Sequence, residues 1–371
     1  MPHSNFFGLG IAPGILDTLN RLRFTVPTPI QQKAIPPALA GQDVIGIAQT
    51  GTGKTLAFGI PLIQRLAQIR GRGLILVPTR ELAIQVEEAL RKILPSSGGF
   101  NTVVLIGGAS MIMQIQILRR QPRILIATPG RLLDHLGQRT TDLRDITMLI
   151  IDEADRMLDM GFAPQIDKIL KHLPTERQTM LFSATIPAAI IKIARSHMKL
   201  PVQVEIAPTG TAAEKVTQEV YIVRREEKMD MLLKVLGQYH GTVLLFSRTK
   251  RGASKITRHL CQRGHNAAEI HSNRSLSQRK QALEGFKLGR YRILVATDIA
   301  ARGIDVKGIE LVINYDLPDD TENYVHRIGR TGRAGQAGHA ISFATPEQKK
   351  DIFAIEKLIR TPLKISRNNS R

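Results

Sequence analysis

Residues 43–60, DVIGIAQTGTGKTLAFGI, change character twice within a short span. An apolar run of strand length comes first, a glycine-rich loop follows, and residues 55–69 then have the apolar spacing of a helix. Glycines give such a loop backbone conformations that other residues avoid, so several N–H groups can point at one place. The stretch therefore predicts a strand, a tight loop and a helix, the opening unit of an α/β domain with a parallel sheet.

The same alternation of apolar runs and helical segments continues along the chain. Six runs begin at residues 43, 73, 102, 123, 148 and 179, and five more begin at residues 220, 242, 292, 311 and 340. Small and polar residues at 206–218 separate the two series and predict a linker. We therefore predict two tandem α/β domains at 1–205 and 219–360, each a mainly parallel sheet covered by helices, and a flexible basic tail at 361–371.

Positive charge is the strongest feature of the composition. The 371 residues carry a formal net charge of +20, which predicts a polyanionic partner, nucleic acid before membrane. The alternative is basic charge that serves only solubility. Tryptophan is absent and aromatic residues make up 4% of the chain, which disfavours a base-stacking surface and favours contacts with the phosphate backbone.

Cysteine use and hydropathy indicate the compartment. Cys261 is the only cysteine, which excludes an internal disulfide and a cysteine-built metal site. The N-terminal segment has no basic region typical of a signal peptide, and no apolar run approaches the ~20 residues of a membrane helix. We therefore expect a cytoplasmic protein.

The loop AQTGTGKT at 48–55 has the composition of a phosphate-binding loop. Backbone N–H groups freed by Gly51 and Gly53 can cradle phosphates, Lys54 can reach the outer phosphates, and the Thr55 hydroxyl can bind Mg²⁺. Ala48 stands where the usual pattern begins with glycine. A bare G-K-T triplet is common, so its placement between a strand and a helix carries the prediction. The predicted nucleotide contacts here are Thr50, Gly51, Thr52, Gly53, Lys54 and Thr55.

Three carboxylates follow the apolar run that begins at residue 148, in the stretch IIDEADRM at 150–157. Like charges this close repel and burial raises their cost, so the cluster needs a cation or a basic partner. Asp152 can hold the Mg²⁺ that bridges nucleotide phosphates, and Glu153 can orient and deprotonate the attacking water. The alternative is a solvated acidic turn.

The stretch YVHRIGRTGR at 324–333 spaces His326, Arg330 and Arg333 at i, i+4 and i+7, which predicts one face of a helical turn. A planar guanidinium suits the charge that spreads over a phosphoryl group in transfer. We interpret Arg330 and Arg333 as arginine fingers that the second domain supplies to a site on the first, so that hydrolysis requires domain closure. The alternative is a basic helix end that binds nucleic acid.

With these motifs in place, the chain resembles the DEAD-box RNA helicases, close to the bacterial RhlE-type subgroup, over residues 6 to about 360. The matching segments are PTPIQ at 27–31, AQTGTGKT at 48–55, PTREL at 78–82, GG at 107–108, TPGR at 128–131, DEAD at 152–155, SAT at 183–185, ATDIAARGID at 296–305 and HRIGRTGR at 326–333. The resemblance implies two tandem RecA-like domains that use ATP and Mg²⁺ to open short RNA duplexes.

The resemblance also implies roles for single residues. Phe6 stacks on adenine and Gln31 reads its edge, which suits an amide that can both donate and accept. Asp305 lies near the ribose. Hydrolysis is coupled to domain closure by a set that joins the DEAD segment to the second domain: Asp155, Ser183, Thr185, His326 and Arg327. The sugar-phosphate backbone of RNA is bound by Pro78, Thr79, Arg80, Gly108, Thr128, Arg131 and Thr297, residue types that suit phosphate and sugar more than bases.

Three positions depart from the family pattern. Arg23 and Ser272 replace glycines, and Leu276 replaces a common glutamine in a region that resembles the RNA-contacting surface of the second domain. Two rival functions stay open: a non-catalytic RNA clamp that uses ATP only as a latch, and a DNA helicase or translocase. Backbone contacts alone do not distinguish RNA from DNA, because a 2′-hydroxyl contact cannot be seen in sequence.

Overall fold

The structure, a computed structural model, describes residues 5–49, 51–94, 100–206, 216–301, 306, 308–332 and 338–367. The chain divides into two compact units, Met1–Ala207 and Pro208–Arg371. The division falls at the beginning of the predicted linker. Residues 207–215 of that linker lie outside the described residues, and residues 216–218 already belong to a strand of the second unit.

Each unit contains a seven-stranded sheet in which every pairing is parallel. The strands of the first unit are β1 (Val44–Ile47), β2 (Arg72–Leu76), β3 (Thr102–Leu105), β4 (Ile124–Ala127), β5 (Ile146–Ile151), β6 (Gln178–Ser183) and β7 (Val202–Glu205). Those of the second are β8 (Val216–Ile222), β9 (Val243–Phe246), β10 (Ala267–Ile270), β11 (Ile293–Ala296), β12 (Leu311–Asn314), β13 (Gly338–Ala344) and β14 (Lys364–Arg367).

Helices connect the strands in both units. The first unit has α1 (Pro13–Arg21), α2 (Pro29–Leu39), α3 (Lys54–Gln68), α4 (Arg80–Ile93), α5 (Met111–Leu118), α6 (Pro129–Gly137), α7 (Ala154–Asp159), α8 (Ala163–Lys171) and α9 (Ala188–His197). The second has α10 (Lys228–Gln238), α11 (Lys250–Gln262), α12 (Leu276–Lys287), α13 (Asp298–Ala301), α14 (Thr321–Ile328) and α15 (Lys349–Ile359), with short 3₁₀ turns at Arg225–Glu227 and Pro346–Gln348.

The two sheets have the same strand order. The first reads β3-β4-β2-β5-β6-β1-β7 and the second reads β10-β11-β9-β12-β13-β8-β14. Numbering the strands of each unit from its own first strand gives one series, 3-4-2-5-6-1-7, in both. The prediction of two mainly parallel α/β domains covered by helices is confirmed.

Both faces of the second sheet are buried, which explains its continuous apolar runs. In β9, Leu244 and Phe246 pack into one hydrophobic cluster, whereas Val243 and Leu245 pack into another. Successive side chains of a strand point to opposite faces, so a strand covered on both sides must be apolar at every position. The first sheet has the same kind of strand, since all four residues of β1 are buried.

Three edge strands were not predicted: β7, β10 and β14. β14 corrects the prediction of a flexible tail at 361–371. Lys364–Arg367 pairs with β8 in parallel register, and residues 368–371 lie outside the described residues. The ladder is anchored by Glu219 of β8, which accepts a hydrogen bond from Ser366 and pairs with Lys364 at 3.3 Å. Charged side chains at a half-exposed edge weaken the apolar pattern on which strand prediction depends.

Because all strands of a sheet run in one direction, the loops that leave their C-terminal ends gather at one edge. In the first unit this edge carries residues 48–49 and 51–53 after β1, Asp152 after β5 and Ala184 after β6. In the part of the chain that the structure describes, no helix is long and apolar enough to cross a membrane.

Candidate active site

The loop after β1 folds tightly around its own backbone. Gly51 and Gly53 have φ values of 85° and 91°, a region in which a side chain would be strained. The Lys54 ammonium, 6% exposed, donates from Nζ to the Ala48 carbonyl at 2.9 Å. Thr52 donates from Oγ1 to the Gln49 carbonyl at 2.7 Å. The first turn of α3 begins at Lys54, so its free N–H groups face the predicted phosphate site. Thr50 lies outside the described residues.

Gln31 connects this loop to the beginning of α2. Its Nε2 donates to the Gly53 carbonyl at 3.0 Å, and its Oε1 accepts from the Thr28 N–H at 2.9 Å. A Cβ built at Gly53 would lie 2.5 Å from Gln31 Nε2, so only glycine permits this approach. The amide predicted to read adenine therefore also holds the phosphate loop. This second role was not predicted, although a capping pattern of Thr28 and Gln31 is visible in the sequence.

Phe6, which we predict to stack on adenine, differs in exposure from its neighbour Phe7. Its ring is 4% exposed, whereas the ring of Phe7 is 57% exposed. Stacking on adenine requires an accessible part of the ring, so the role of Phe6 stays a prediction. In this structure the accessible aromatic surface next to Phe6 belongs to Phe7.

Asp152 lies immediately beyond β5 and is 2% exposed. Burial raises the pKa of its carboxyl group to about 6, the Lys54 ammonium opposes this shift, and the Glu153 carboxylate adds to it. A buried carboxylate under this strain fits a divalent cation beside it. Among the described residues no group of three His, Cys, Asp or Glu side chains could hold a metal ion. A Mg²⁺ site here would therefore combine Asp152 and Thr55 with phosphate oxygens.

Glu153 occupies a strained backbone position and a buried ion pair. Its φ of 52° lies in the left-handed region, which is costly for a residue with a side chain. Arg156 donates from Nη1 to Glu153 Oε2 at 3.0 Å, and the two side chains are 2% and 5% exposed. The Arg156 Nη2 atom is buried without a hydrogen-bond partner. The spacing of Glu153 and Arg156 was a signal that the prediction missed, since positions i and i+3 of a helix lie on one face.

Asp155 is fixed by the loop after β6. Its Oδ2 accepts from the N–H groups of Ala184 and Thr185, both at 3.0 Å, and from Thr185 Oγ1 at 3.3 Å. The Asp155 N–H donates to Ser183 Oγ at 3.2 Å. The structure thus brings Asp155, Ser183 and Thr185 together, as the coupling prediction requires within the first unit.

The residues of the first unit that we predict to contact RNA follow the C-terminal ends of β2, β3 and β4. Arg80 packs against Gly108: a Cβ built at Gly108, whose φ is 78°, would lie 2.4 Å from Arg80 Nη1. Arg131 donates from Nη1 to the Ala109 carbonyl at 3.2 Å, which joins α6 to the same loop.

Two threonines support these loops. Thr79 Oγ1 accepts from the Leu82 N–H at 3.2 Å as the N-cap of α4. The Thr128 N–H donates to the Leu105 carbonyl at 3.0 Å. Pro78, just before Thr79, is buried.

In the second unit, the helix that carries His326 ends before the first predicted arginine finger. α14 ends at Ile328, and the Arg330 N–H donates to the Arg327 carbonyl in a turn. The expectation that Arg330 continues one helical face with His326 is therefore wrong, because the helical bonding pattern ends with the bond from the Gly329 N–H to the Val325 carbonyl. The Arg330 side chain is 4% exposed. Arg333 and Asp305 lie outside the described residues.

Arg327, predicted to couple domain movements, is tied firmly within its own unit. It donates from Nε and Nη2 to the two carboxylate oxygens of Asp298 at 2.6 and 2.7 Å. Its Nη1 donates to Asn314 Oδ1 at 3.1 Å and to the Asp316 carbonyl at 2.6 Å. The guanidinium therefore joins the ends of β11 and β12 to α14. Thr297 lies at the same edge, where its N–H donates to the Ile270 carbonyl at 3.3 Å.

Comparisons with known proteins agree with this geometry. A family model described as DEAD/DEAH box helicase matches residues 28–193, and one described as helicase conserved C-terminal domain matches residues 227–335. The ATP-dependent RNA helicase CshA of Listeria monocytogenes is 44% identical over 357 residues, which cover 95% of this chain and 68% of that protein. The ATP-dependent rRNA helicase RRP3 of Debaryomyces hansenii is 42% identical over 359 residues, covering 96% and 75%.

Solved structures show the same fold. Saccharomyces cerevisiae Dbp5 bound to RNA and ADP BeF₃ superimposes with a TM-score of 0.88 at 28% identity, covering 99% of this chain and 96% of Dbp5. The DEAD-box helicase Mss116 bound to single-stranded RNA and UDP-BeF gives a TM-score of 0.88 at 28% identity, covering 98% and 79%. The tandem RecA-like architecture is thereby confirmed, and the chain belongs to the DEAD-box family of ATP-dependent RNA helicases.

Proposed function

We propose that this protein hydrolyses ATP, with Mg²⁺, in response to RNA and uses the cycle to open short RNA duplexes or remodel RNA–protein complexes. One observation carries the proposal: the buried carboxylates Asp152 and Glu153 lie at the sheet edge that also carries Lys54. Acidic groups under this electrostatic strain suit a cation–phosphate complex and a water to be deprotonated. We make two further proposals: membership of the RhlE-type subgroup, from the resemblance, and a cytoplasmic location, from the cysteine use and hydropathy of the sequence.

Within this proposal, each group of the first unit has one task. Lys54 and the loop N–H groups bind the phosphates, Thr55 and Asp152 hold Mg²⁺, and Glu153 receives the proton of the attacking water. Bound Mg²⁺ supplies charge neutralisation at the phosphates. Asp155, through its bonds to residues 184 and 185, carries changes at the acidic segment to the loop after β6.

The second unit contributes the arginines that we propose act on the phosphoryl group in transfer, Arg330 and Arg333. His326 and Arg327 are proposed to couple the state of the nucleotide to RNA. The RNA backbone is proposed to contact Pro78, Thr79, Arg80, Gly108, Thr128 and Arg131 in the first unit and Thr297 in the second. Hydroxyls, backbone amides and guanidinium groups at strand ends support this proposal, because they suit phosphate and sugar oxygens.

Steady-state ATPase assays with and without RNA test the proposal. The wild-type chain should hydrolyse ATP faster with RNA. Glu153→Gln should bind ATP, but its turnover should be at least ~10² times slower. Glu88→Gln, at an exposed position of α4, is the matched control and should keep wild-type turnover. A chain that binds RNA and ATP without turnover would support the RNA clamp instead. Equal stimulation by DNA and RNA would support the DNA-directed alternative.

A further inference from the structure

α11 carries a concentration of positive charge that the proposed RNA contacts do not include. Its sequence, KRGASKITRHLCQ, has four lysine or arginine residues and no acidic residue. Lys250, Arg251, Lys255 and Arg258 are all exposed, and none forms an ion pair with a carboxylate of the described chain. Three of them, at 251, 255 and 258, recur at helical spacing and make a stripe ~10 Å long.

A hollow of about 370 Å³ lies against this stripe. It is lined by Lys250, Arg251, Ser254, Lys255, Arg258 and Asn273. Four of these side chains are cations, and the other two are neutral groups that can donate hydrogen bonds. Like charges repel one another, so such a lining is stabilised when an anion occupies it. None of the lining residues is acidic, so the lining has no anionic side chain of its own.

Hydrogen bonds hold two of the lining residues in place. His271, 3% exposed, has Nε2 within 3.0 Å of Ser254 Oγ and within 3.3 Å of Glu269 Oε2. The Asn273 N–H donates to His271 Nδ1 at 3.3 Å. These contacts fix Ser254 of α11 and Asn273 of the turn between β10 and α12 relative to His271. The two residues therefore help to define the shape of the hollow.

The Asn273 side of the hollow lies close to the strand ends that carry Thr297. β9, β10 and β11 are neighbours in the sheet, and their C-terminal ends lead to α11, to the turn that contains Asn273, and to Thr297. The Thr297 N–H donates to the carbonyl of Ile270, the residue next to His271. A phosphate backbone that contacts Thr297 can therefore reach the hollow at Asn273.

We propose that the α11 surface, defined as Arg251, Ser254, Lys255, Arg258 and Asn273, binds the phosphates of an RNA segment that flanks the segment at Thr297. The inference rests on the proposed function and identifies a further segment of the RNA substrate that the protein binds. The cations neutralise phosphates, and Ser254 and Asn273 donate to phosphate or sugar oxygens. The surface has no aromatic residue to stack on bases, so it binds RNA without regard to sequence.

The test compares two triple variants of the full chain that lose the same charge. Arg251→Gln, Lys255→Gln and Arg258→Gln remove the stripe. Lys349→Gln, Lys350→Gln and Lys357→Gln remove three exposed lysines of α15, a different helix of the same unit. Affinity is measured by fluorescence anisotropy for single-stranded RNAs of about 8 and about 30 nucleotides, because site sizes in such grooves run from about 4 to 16 nucleotides.

The stripe variant should bind the longer RNA about 10-fold more weakly, and the slope of log K against log salt should decrease by about 2, since each phosphate contact contributes about 0.7. Its affinity for the shorter RNA should change less than about twofold. The α15 variant should retain wild-type affinity for both RNAs. Equal losses in the two variants, or no loss in the stripe variant, would overturn the inference.

The wild-type chain separates this inference from the proposed function. If RNA of neither length bound wild-type protein or raised its ATP turnover, the proposed function would fail. If wild-type protein responded to RNA but the stripe variant kept the full advantage of the longer RNA, only the role of α11 would fail.

Discussion

Arg156 holds the carboxylate of Glu153 through a buried ion pair, with Nη1 3.0 Å from Oε2. A buried charge that loses its partner is costly, about 3–5 kcal/mol. Arg156 therefore has two effects to separate: it stabilises the fold, and it fixes the orientation of the group that we propose receives a proton.

We expect Arg156→Lys to preserve the charge but to lose the guanidinium geometry. ATP turnover should fall about 10-fold while the KM for ATP stays near its wild-type value, because the change reorients Glu153 and leaves the phosphate loop intact. Steady-state kinetics measures both parameters. A parallel rise in KM with unchanged kcat would show that Arg156 affects binding and not the orientation of Glu153.

Arg156→Met should lower the free energy of unfolding by about 3 kcal/mol, because it leaves the Glu153 carboxylate buried and uncompensated. Adding Glu153→Gln to Arg156→Met should restore part of this loss, since the second change removes the unpaired charge. Urea denaturation of the single and double variants measures the coupling. Additive losses would show that the ion pair contributes nothing beyond the two separate side chains.

Gln31→Ala should weaken binding of every nucleoside triphosphate as well as abolish the preference for ATP over GTP. The first effect follows from the lost donor to the Gly53 carbonyl, which leaves the phosphate loop less constrained. Competition binding with ATP, GTP and inorganic triphosphate separates the two effects. Gln32→Ala, at the next position of α2, is the control. Triphosphate affinity identical to wild type would remove Gln31 from the support of the loop.

Removal of residues 362–371 should destabilise the second unit, whereas removal of 368–371 should not. The longer deletion removes β14, the buried Leu363 and the hydrogen bond from the Leu363 N–H to Glu356 Oε1 at 2.8 Å. We expect a loss of about 2 kcal/mol, or about 4–8 °C in melting temperature. Thermal denaturation followed by circular dichroism measures it. Equal melting temperatures for the two deletions would show that residues 362–367 do not stabilise the second unit.

Stability should fall on mild acidification partly because of His135. Its ring is buried between Thr140 Oγ1 at 2.7 Å and Gln114 Oε1 at 3.2 Å. Burial lowers the pKa of His135, and the nearby Arg131 charge lowers it further. The folded chain therefore keeps the ring neutral while the unfolded chain, with a histidine pKa of about 6.5, takes up a proton. The free energy of unfolding falls as pH drops from about 6.5 to the lower, folded pKa.

His135→Gln should flatten this dependence by up to ~1.4 kcal/mol per pH unit in that window. Urea denaturation across the window measures it, and His240→Gln, at an exposed histidine, is the control. An unchanged pH slope in His135→Gln would assign the acid sensitivity to other groups.

The sequence predicted the central strands and the loops at their ends because these segments carry strong local patterns. β1, with all four residues buried, and the glycine loop after it left little choice of structure. β10 and β14 were missed because both edge strands contain a charged residue, Glu269 and Lys364, that interrupts the apolar pattern. Their strand character depends on a neighbour that is distant in sequence.

The candidate site was predicted by residue type, but its internal contacts were not. The bond from Gln31 to Gly53 joins positions 22 apart, and the ion pair of Arg156 depends on a left-handed backbone at Glu153. The first contact arises from tertiary packing, which the local pattern does not encode, whereas the i, i+3 spacing of Glu153 and Arg156 was visible in the sequence. The end of α14 at Ile328, before Arg330, was also set by context.

The shared strand order allows corresponding positions of the two units to be compared. Lys54 is the first residue of the helix after the first strand, and Lys228 has the same place in the second unit. Asp152 follows the fifth strand directly, and Asp316 follows its counterpart two residues later. In the second unit these residues satisfy each other, because Lys228 Nζ donates to Asp316 Oδ1 at 3.1 Å and to the Tyr315 carbonyl at 2.6 Å.

The loop before Lys228 contains Arg225, Glu226 and Glu227 in place of glycines, so its backbone cannot wrap an anion closely. The two units therefore share a strand order but differ in the charges at this position. In the first unit Asp152 and Glu153 are buried at the sheet edge that carries Lys54. In the second unit the corresponding lysine and aspartate pair with each other, so their charges are compensated without a ligand.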